Sequence, residues 1–155
     1  MSWSSLGSEG VSSIAKALNS NSTLNYLRLT CAGCGDNGAD ALAKMLCDNK
    51  TLTELFISNF ENLDEQDSRH NKVGKKGADA LAGALRVNKS LKELHLCNNN
   101  ITYEGFNRLT KALPENTALK WLGIDYQDYD LTTLDQDTRE KIQHECICEN
   151  ADILI

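Results

Sequence analysis

Apolar residues recur along this chain with a fixed rhythm. Leu24, Leu27 and Leu29 are spaced L-x-x-L-x-L, and the same spacing returns at Leu52, Leu55, Ile57, at Leu91, Leu94, Leu96 and at Leu119, Leu122, Ile124. The triplets start at 24, 52, 91 and 119, a period of 28 whose middle interval is longer by 11. The rest of the unit keeps the same register. Gly10, Gly38, Gly77 and Gly105 stand fourteen residues before the triplets, and Ile14, Leu42, Leu81 and Leu109 stand ten before. Leu18, Leu46, Leu85 and Leu113 stand six before, and Asn21, Asn49, Asn88 and Asn116 three before.

This pattern has a simple physical reading. Leu27 and Leu29 alternate with polar neighbours, as a strand with one buried face does. Leu42, Met45 and Leu46 fall on one helical face, and Ala39, Ala41 and Ala43 favour helix there. Strands are therefore expected near 26–29, 54–58, 93–97 and 121–125, and helices near 8–19, 36–47, 75–86 and 103–113. Each return passes through a helix, so the strands should run parallel. One unit cannot cover its own apolar face, but stacked units bury a continuous core. The expected fold is α/β: a curved right-handed solenoid, a horseshoe segment with parallel strands on the concave side and helices on the convex side.

The stretch from Ser90 to Ile101 reads S-L-K-E-L-H-L-C-N-N-N-I. With the period, it resembles the ribonuclease-inhibitor subfamily of leucine-rich repeats, and the resemblance runs from roughly Leu6 to Tyr129. It implies a scaffold that binds a protein partner through its concave strand face. It also implies two alternatives: a regulator (activator) of a small GTPase, since Ran-activating proteins carry similar repeats, and a structural segment of a larger receptor or effector. The repeat identifies a scaffold and leaves its task open.

Two small residues carry geometric expectations. Each repeated Gly should let its helix approach the neighbouring one closely. The Asn after each helix suits a left-handed backbone position. A second register, in the strand-to-helix loop, is filled by Ser4, Ala32, Asn71, Asn99 and Gln127, so no continuous asparagine ladder is expected there.

The chain reads as a single domain over 1–155 with four to five repeats. An insertion occupies about 59–69, within an acidic run, and a C-terminal flank about 130–155. In that flank a helix over about 133–148 should present Leu134, Ile142, Cys146 and Ile147 inward, with a last half-strand beginning at Ile153. No polar capping unit precedes Leu6, so either the chain belongs to a longer repeat array or Trp3 covers the edge.

Composition narrows the partner. Sixteen basic residues against 22 acidic ones give a net charge of −6, the wrong sign for nucleic acid or an anionic membrane. No stretch is apolar for the length of a transmembrane helix, and residues 1–10 lack a signal-peptide pattern. The six cysteines fall mostly within the repeat, so they are read as reduced thiols and the compartment as cytoplasmic.

Candidate binding residues are the outward x positions of each strand. They form one row of Tyr26, Glu54, Glu93 and Trp121 and another of Arg28, Phe56, His95 and Gly123, followed by Asp125 and Tyr126. Aromatics of this kind are enriched at interface hot spots. Phe60 and Leu63 are candidate anchors if the insertion binds as a flap. Cys31 and Cys34 form a C-x-x-C pair, but the register puts Cys34 at a buried core position and no second ligand pair lies within reach, so neither metal nor cofactor is expected. Glu93, His95 and Cys97 share a strand face at nearly 7 Å spacing, too far for proton transfer unless a side chain bends toward its neighbour. No phosphate loop, nucleophile elbow or zinc-protease motif is present, so the chain is not expected to be an enzyme.

Overall fold

A computed structural model describes residues 5–60, 66–124, 132 and 134–143. Helices and strands alternate as α1 (Gly7–Leu18), β1 (Tyr26–Arg28), α2 (Gly35–Asp48), β2 (Glu54–Phe56), α3 (Lys75–Val87), β3 (Glu93–His95), α4 (Tyr103–Ala112), β4 (Trp121–Gly123), α5 (Gln136–Lys141) and β5 (Ile142–Gln143). The strands form one parallel sheet in chain order. They are shorter than expected, but pairing continues past them. The Leu29, Ile57 and Leu96 N–H groups donate to the carbonyls of Phe56, His95 and Gly123 at 2.7–2.8 Å.

The register stacks equivalent residues. Leu27, Leu55, Leu94 and Leu122 pair in line across the sheet. The last three are buried, together with Leu42, Leu46, Leu81, Leu85, Leu109 and Leu113 from the helices. At the β1 edge the stack is open, so Leu24 is 37% exposed where its equivalent Leu52 is 1% exposed. Trp3, one of the two alternatives for that edge, lies outside the described residues.

The glycines act as their spacing implies. A Cβ on Gly105 would meet the Ala78 Cβ at 3.0 Å, and one on Gly77 would meet the Ala39 Cβ at 3.0 Å and Asp36 Oδ1 at 2.9 Å. That carboxylate oxygen accepts from the Gly74 and Gly77 N–H groups. The start of α3 is thus capped by a side chain of the preceding unit rather than by its own.

The asparagines that end the helices do something other than expected. Asn49 and Asn88 have φ near −70° and extended backbone, not left-handed. Their side chains carry the function instead. Asn49 Oδ1 accepts from the Thr51 and Leu52 N–H groups, while its Nδ2 donates to the carbonyls of Leu18 and Asn21 one unit back. Asn88 repeats this with Ser90 and Leu91 ahead and Leu46 and Asn49 behind. Asn116 does so with Ala118 and Leu119 ahead and Leu85 and Asn88 behind. At the last step Lys141 Nζ takes over, donating to Leu113 O at 3.4 Å and Asn116 O at 3.2 Å. The continuous ladder thus stands on this register. On the other register Asn71 and Asn99 make isolated bridges, with Asn71 Oδ1 accepting from Ala32 N–H and Cys34 N–H across the stack.

Two further expectations are corrected. The C-terminal helix has six residues, α5, and Ile142 leaves it to pair with Leu122 in the sheet. Asp135 starts α5 by accepting from the Thr138 N–H and hydroxyl, and no run of Leu and Ala sustains a longer helix. Cys146, Ile147 and Ile153 lie outside the described residues. Cys97 is disulfide-bonded, so the reading of all six cysteines as reduced thiols fails there. Cys31, Cys34 and Cys47 are free, and burial pushes the Cys34 thiol up to about 12.

The ladder sets a testable hierarchy of stability. Asn88→Ala removes the acceptor of the Ser90 and Leu91 N–H groups and the donor to the Leu46 carbonyl, leaving the Asn49 carbonyl only the Ser90 hydroxyl, and should cost about 2–4 kcal/mol in urea denaturation. Asn21→Ala, at an exposed position whose side chain makes only local bonds, should cost under about 1 kcal/mol. Equal costs at the two sites would contradict the ladder.

Candidate functional site

Strand geometry sends alternate side chains to opposite faces. With the central Leu of each strand packed on the helices, Tyr26, Arg28, Glu54, Phe56, Glu93, His95 and Trp121 project from the other face. Their two rows do not stay separate. The Tyr26 ring lies 5.2 Å from that of Phe56, Phe56 stacks on His95 at 4.0 Å and 7°, and His95 lies 6.1 Å from Trp121. Aromatics from both rows thus merge into one strip across four strands. Arg28 places its guanidinium 5.2 Å over Phe56, a cation–π contact worth about 0.5–1 kcal/mol at an exposed site.

His95 is the pivot of the strip and is only 4% exposed, more buried than an outward strand position suggests. Its burial has an identifiable cause in Gly123, the next member of its row. A Cβ at 123 would sit 3.2 Å from His95 Nδ1, so the missing side chain lets the imidazole lie flat between Phe56 and Trp121. His95 bends along its own strand to bring Nε2 to 3.2 Å from a Glu93 carboxylate oxygen. Burial lowers its pKa below the ordinary 6.5, against the opposing pull of Glu93. The neutral ring therefore donates from Nε2, since the carboxylate only accepts. Trp121 buries its indole N–H without an acceptor, which costs about 1–3 kcal/mol, so packing and not hydrogen bonding holds that ring.

The remaining candidates divide. Phe60 is 42% exposed at the start of the insertion, and its N–H donates to the Cys31 sulfur at 3.4 Å. Asn59, with 0% exposure, anchors that end through bonds to the Asn98 carbonyl and the Asn71 N–H. At the far end the Arg69 guanidinium holds the Asp67 carboxyl down at about 2. Leu63, Asp125 and Tyr126 lie outside the described residues. Sequence reasoning missed the stacking of His95, although glycine at 123 in an otherwise side-chain-bearing row was the signal for it.

The leucine-rich-repeat family model matches residues 20–43 and 87–106, which hold β1 with the start of α2 and β3 with the start of α4. The chain carries leucine-rich repeats in these two stretches. Among solved structures, this chain is similar to one titled leiomodin-1 actin-binding site 2, with 27% identity, a TM-score of 0.66, and coverage of 80% of this chain and 70% of that one. It also shares its fold with a Caenorhabditis elegans tropomodulin C-terminal domain at 15% identity and TM-score 0.62, covering 84% of this chain and 72% of that one. No curated protein matches the sequence. Among the described residues no helix is long and apolar enough to cross a membrane.

The state of His95 yields a pH prediction. The unfolded chain binds a proton at this histidine near pH 6.5, whereas the fold resists it until lower pH. Stability from this group is therefore complete above that value and declines as pH falls through it. His95→Gln should flatten the drop in urea midpoint between about pH 7.5 and about pH 5.5. A drop of the same size in both proteins would rule His95 out as its source.

Proposed function

We propose that this chain is a protein-binding module, and that the curved repeat array presents the concave sheet face to its partner. The observation that carries the reading is the aromatic strip of Tyr26, Phe56, His95 and Trp121. Rings held by their neighbours lose little freedom when a partner covers them, and such residues dominate interface energetics. The core does not require them, because Leu27, Leu55, Leu94 and Leu122 already fill the opposite face of the same strands.

Actin is the first partner to test, since the leiomodin-1 structure similar to this chain is titled for an actin-binding site. Purified chain and monomeric actin are mixed and binding is read by fluorescence anisotropy. Capture from native lysate provides the comparison when actin does not bind. Phe56→Ala or Trp121→Ala should weaken the partner by roughly 2 kcal/mol or more, as hot-spot aromatics do, with about 1 kcal/mol or less lost in folding stability. Leu94→Ala should do the reverse, costing about 2–5 kcal/mol of folding through a core cavity. Deleting residues 60–68 removes the exposed Phe60 while retaining Asn59 and Asn71. If that deletion abolishes binding while the aromatic variants bind like wild type, the insertion is the site and the strip is not.

A further inference from the structure

Two carboxylates border the aromatic strip. Glu54 and Glu93 are direct register partners on adjacent parallel strands, about 4.8 Å apart at the backbone, and both point to the free face. Like charges placed side by side across strands disfavour the sheet, so a neutralising partner is expected nearby. The described residues supply none. Among the described residues the Glu54 carboxylate makes no ion pair and accepts no hydrogen bond, and that of Glu93 has only the His95 ring. Arg28, the cation nearest in register on that face, lies over Phe56 instead. The pair is flanked in its own row by Tyr26 on one side and Trp121 on the other.

We propose that the Glu54–Glu93 pair is a subsite for an arginine side chain on a basic segment of the protein partner, with Tyr26 and Trp121 as its aromatic walls. A guanidinium offers donors in a planar fork that can reach two carboxylates at once. Its flat face also stacks on aromatic rings. The partner segment is basic, complementing both this pair and a net charge of −6. The inference rests on the protein-binding reading of the same face, and names the chemistry that the face selects.

The test uses the intact chain and a fluorescein-labelled peptide of four Gly-Arg repeats, with a citrulline counterpart of equal shape and no charge. Anisotropy at low salt should show the arginine peptide bound and the citrulline peptide at least about tenfold weaker. Glu54→Gln/Glu93→Gln should lose about tenfold for the arginine peptide. The control Glu9→Gln/Asp48→Asn, on exposed helical positions with the same change of net charge, should stay within about twofold. The Glu54→Gln/Glu93→Gln variant should melt at or above the wild-type temperature, because like-charge repulsion is relieved. Equal losses in the control, equal binding of citrulline, or wild-type binding by the glutamine variant would each overturn the subsite. So would a glutamine variant that melts well below wild type, since the pair would then be structural. Failure of the subsite with Phe56→Ala still losing the natural partner leaves the binding face standing. Loss of neither by the aromatic variants removes the face itself.

Discussion

The buried asparagines after α2, α3 and α4 make the interaction on which the stack depends. A helix leaves its last carbonyls without partners, and here those of Leu18, Leu46 and Leu85 point into the interior between units. The next unit's asparagine satisfies each of them while its own Oδ1 holds the backbone that leads into the strand. One side chain thus closes a helix in one unit and aims the strand of the next. This is how a sheet of three-residue strands keeps its register. The ladder ends on Lys141, whose ammonium can donate to the same two carbonyls but cannot accept from the backbone, so the unit it belongs to follows different geometry.

Register held this tightly has a consequence on the opposite side of the sheet. Equivalent outward residues are brought side by side at about 4.8 Å, close enough for rings on successive strands to stack. Phe56 and His95 do so nearly face to face. The same constraint places Glu54 beside Glu93. The repeat therefore aligns attractive and repulsive neighbours alike. Where the sequence sets two carboxylates in one row without an internal cation, the fold's own stability does not explain them.

The insertion shows how such a stack tolerates extra chain. Asn59 and Asn71 stand at its two ends, joined by a hydrogen bond from the Asn71 N–H to Asn59 Oδ1. Asn71 also reaches the carbonyls of Leu29 and Ile57. The strand of the second unit and the helix that follows it are therefore held as if the added residues were absent. Loop closure costs little more for a longer loop once its ends are fixed.

The sequence by itself determined the architecture. A 28-residue period in Leu, Gly and Asn fixed the order of helices and strands, their parallel sense, and which face each strand buries, because both kinds of element have fixed side-chain periods. It also determined that Cys34 belongs to the core. What it could not determine was anything that depends on side chains meeting across units or on chain outside the repeat. The asparagines at 49 and 88 read as backbone formers, since a propensity describes φ and ψ and is silent about a carbonyl one unit away. The C-terminal helix read as long because spacing alone cannot show that Ile142 pairs with Leu122. Cys97 read as a free thiol for the same reason. The outward rows were legible as lists of residues, but their merging into one strip was decided by tertiary structure, where the empty space at Gly123 lets His95 turn and stack.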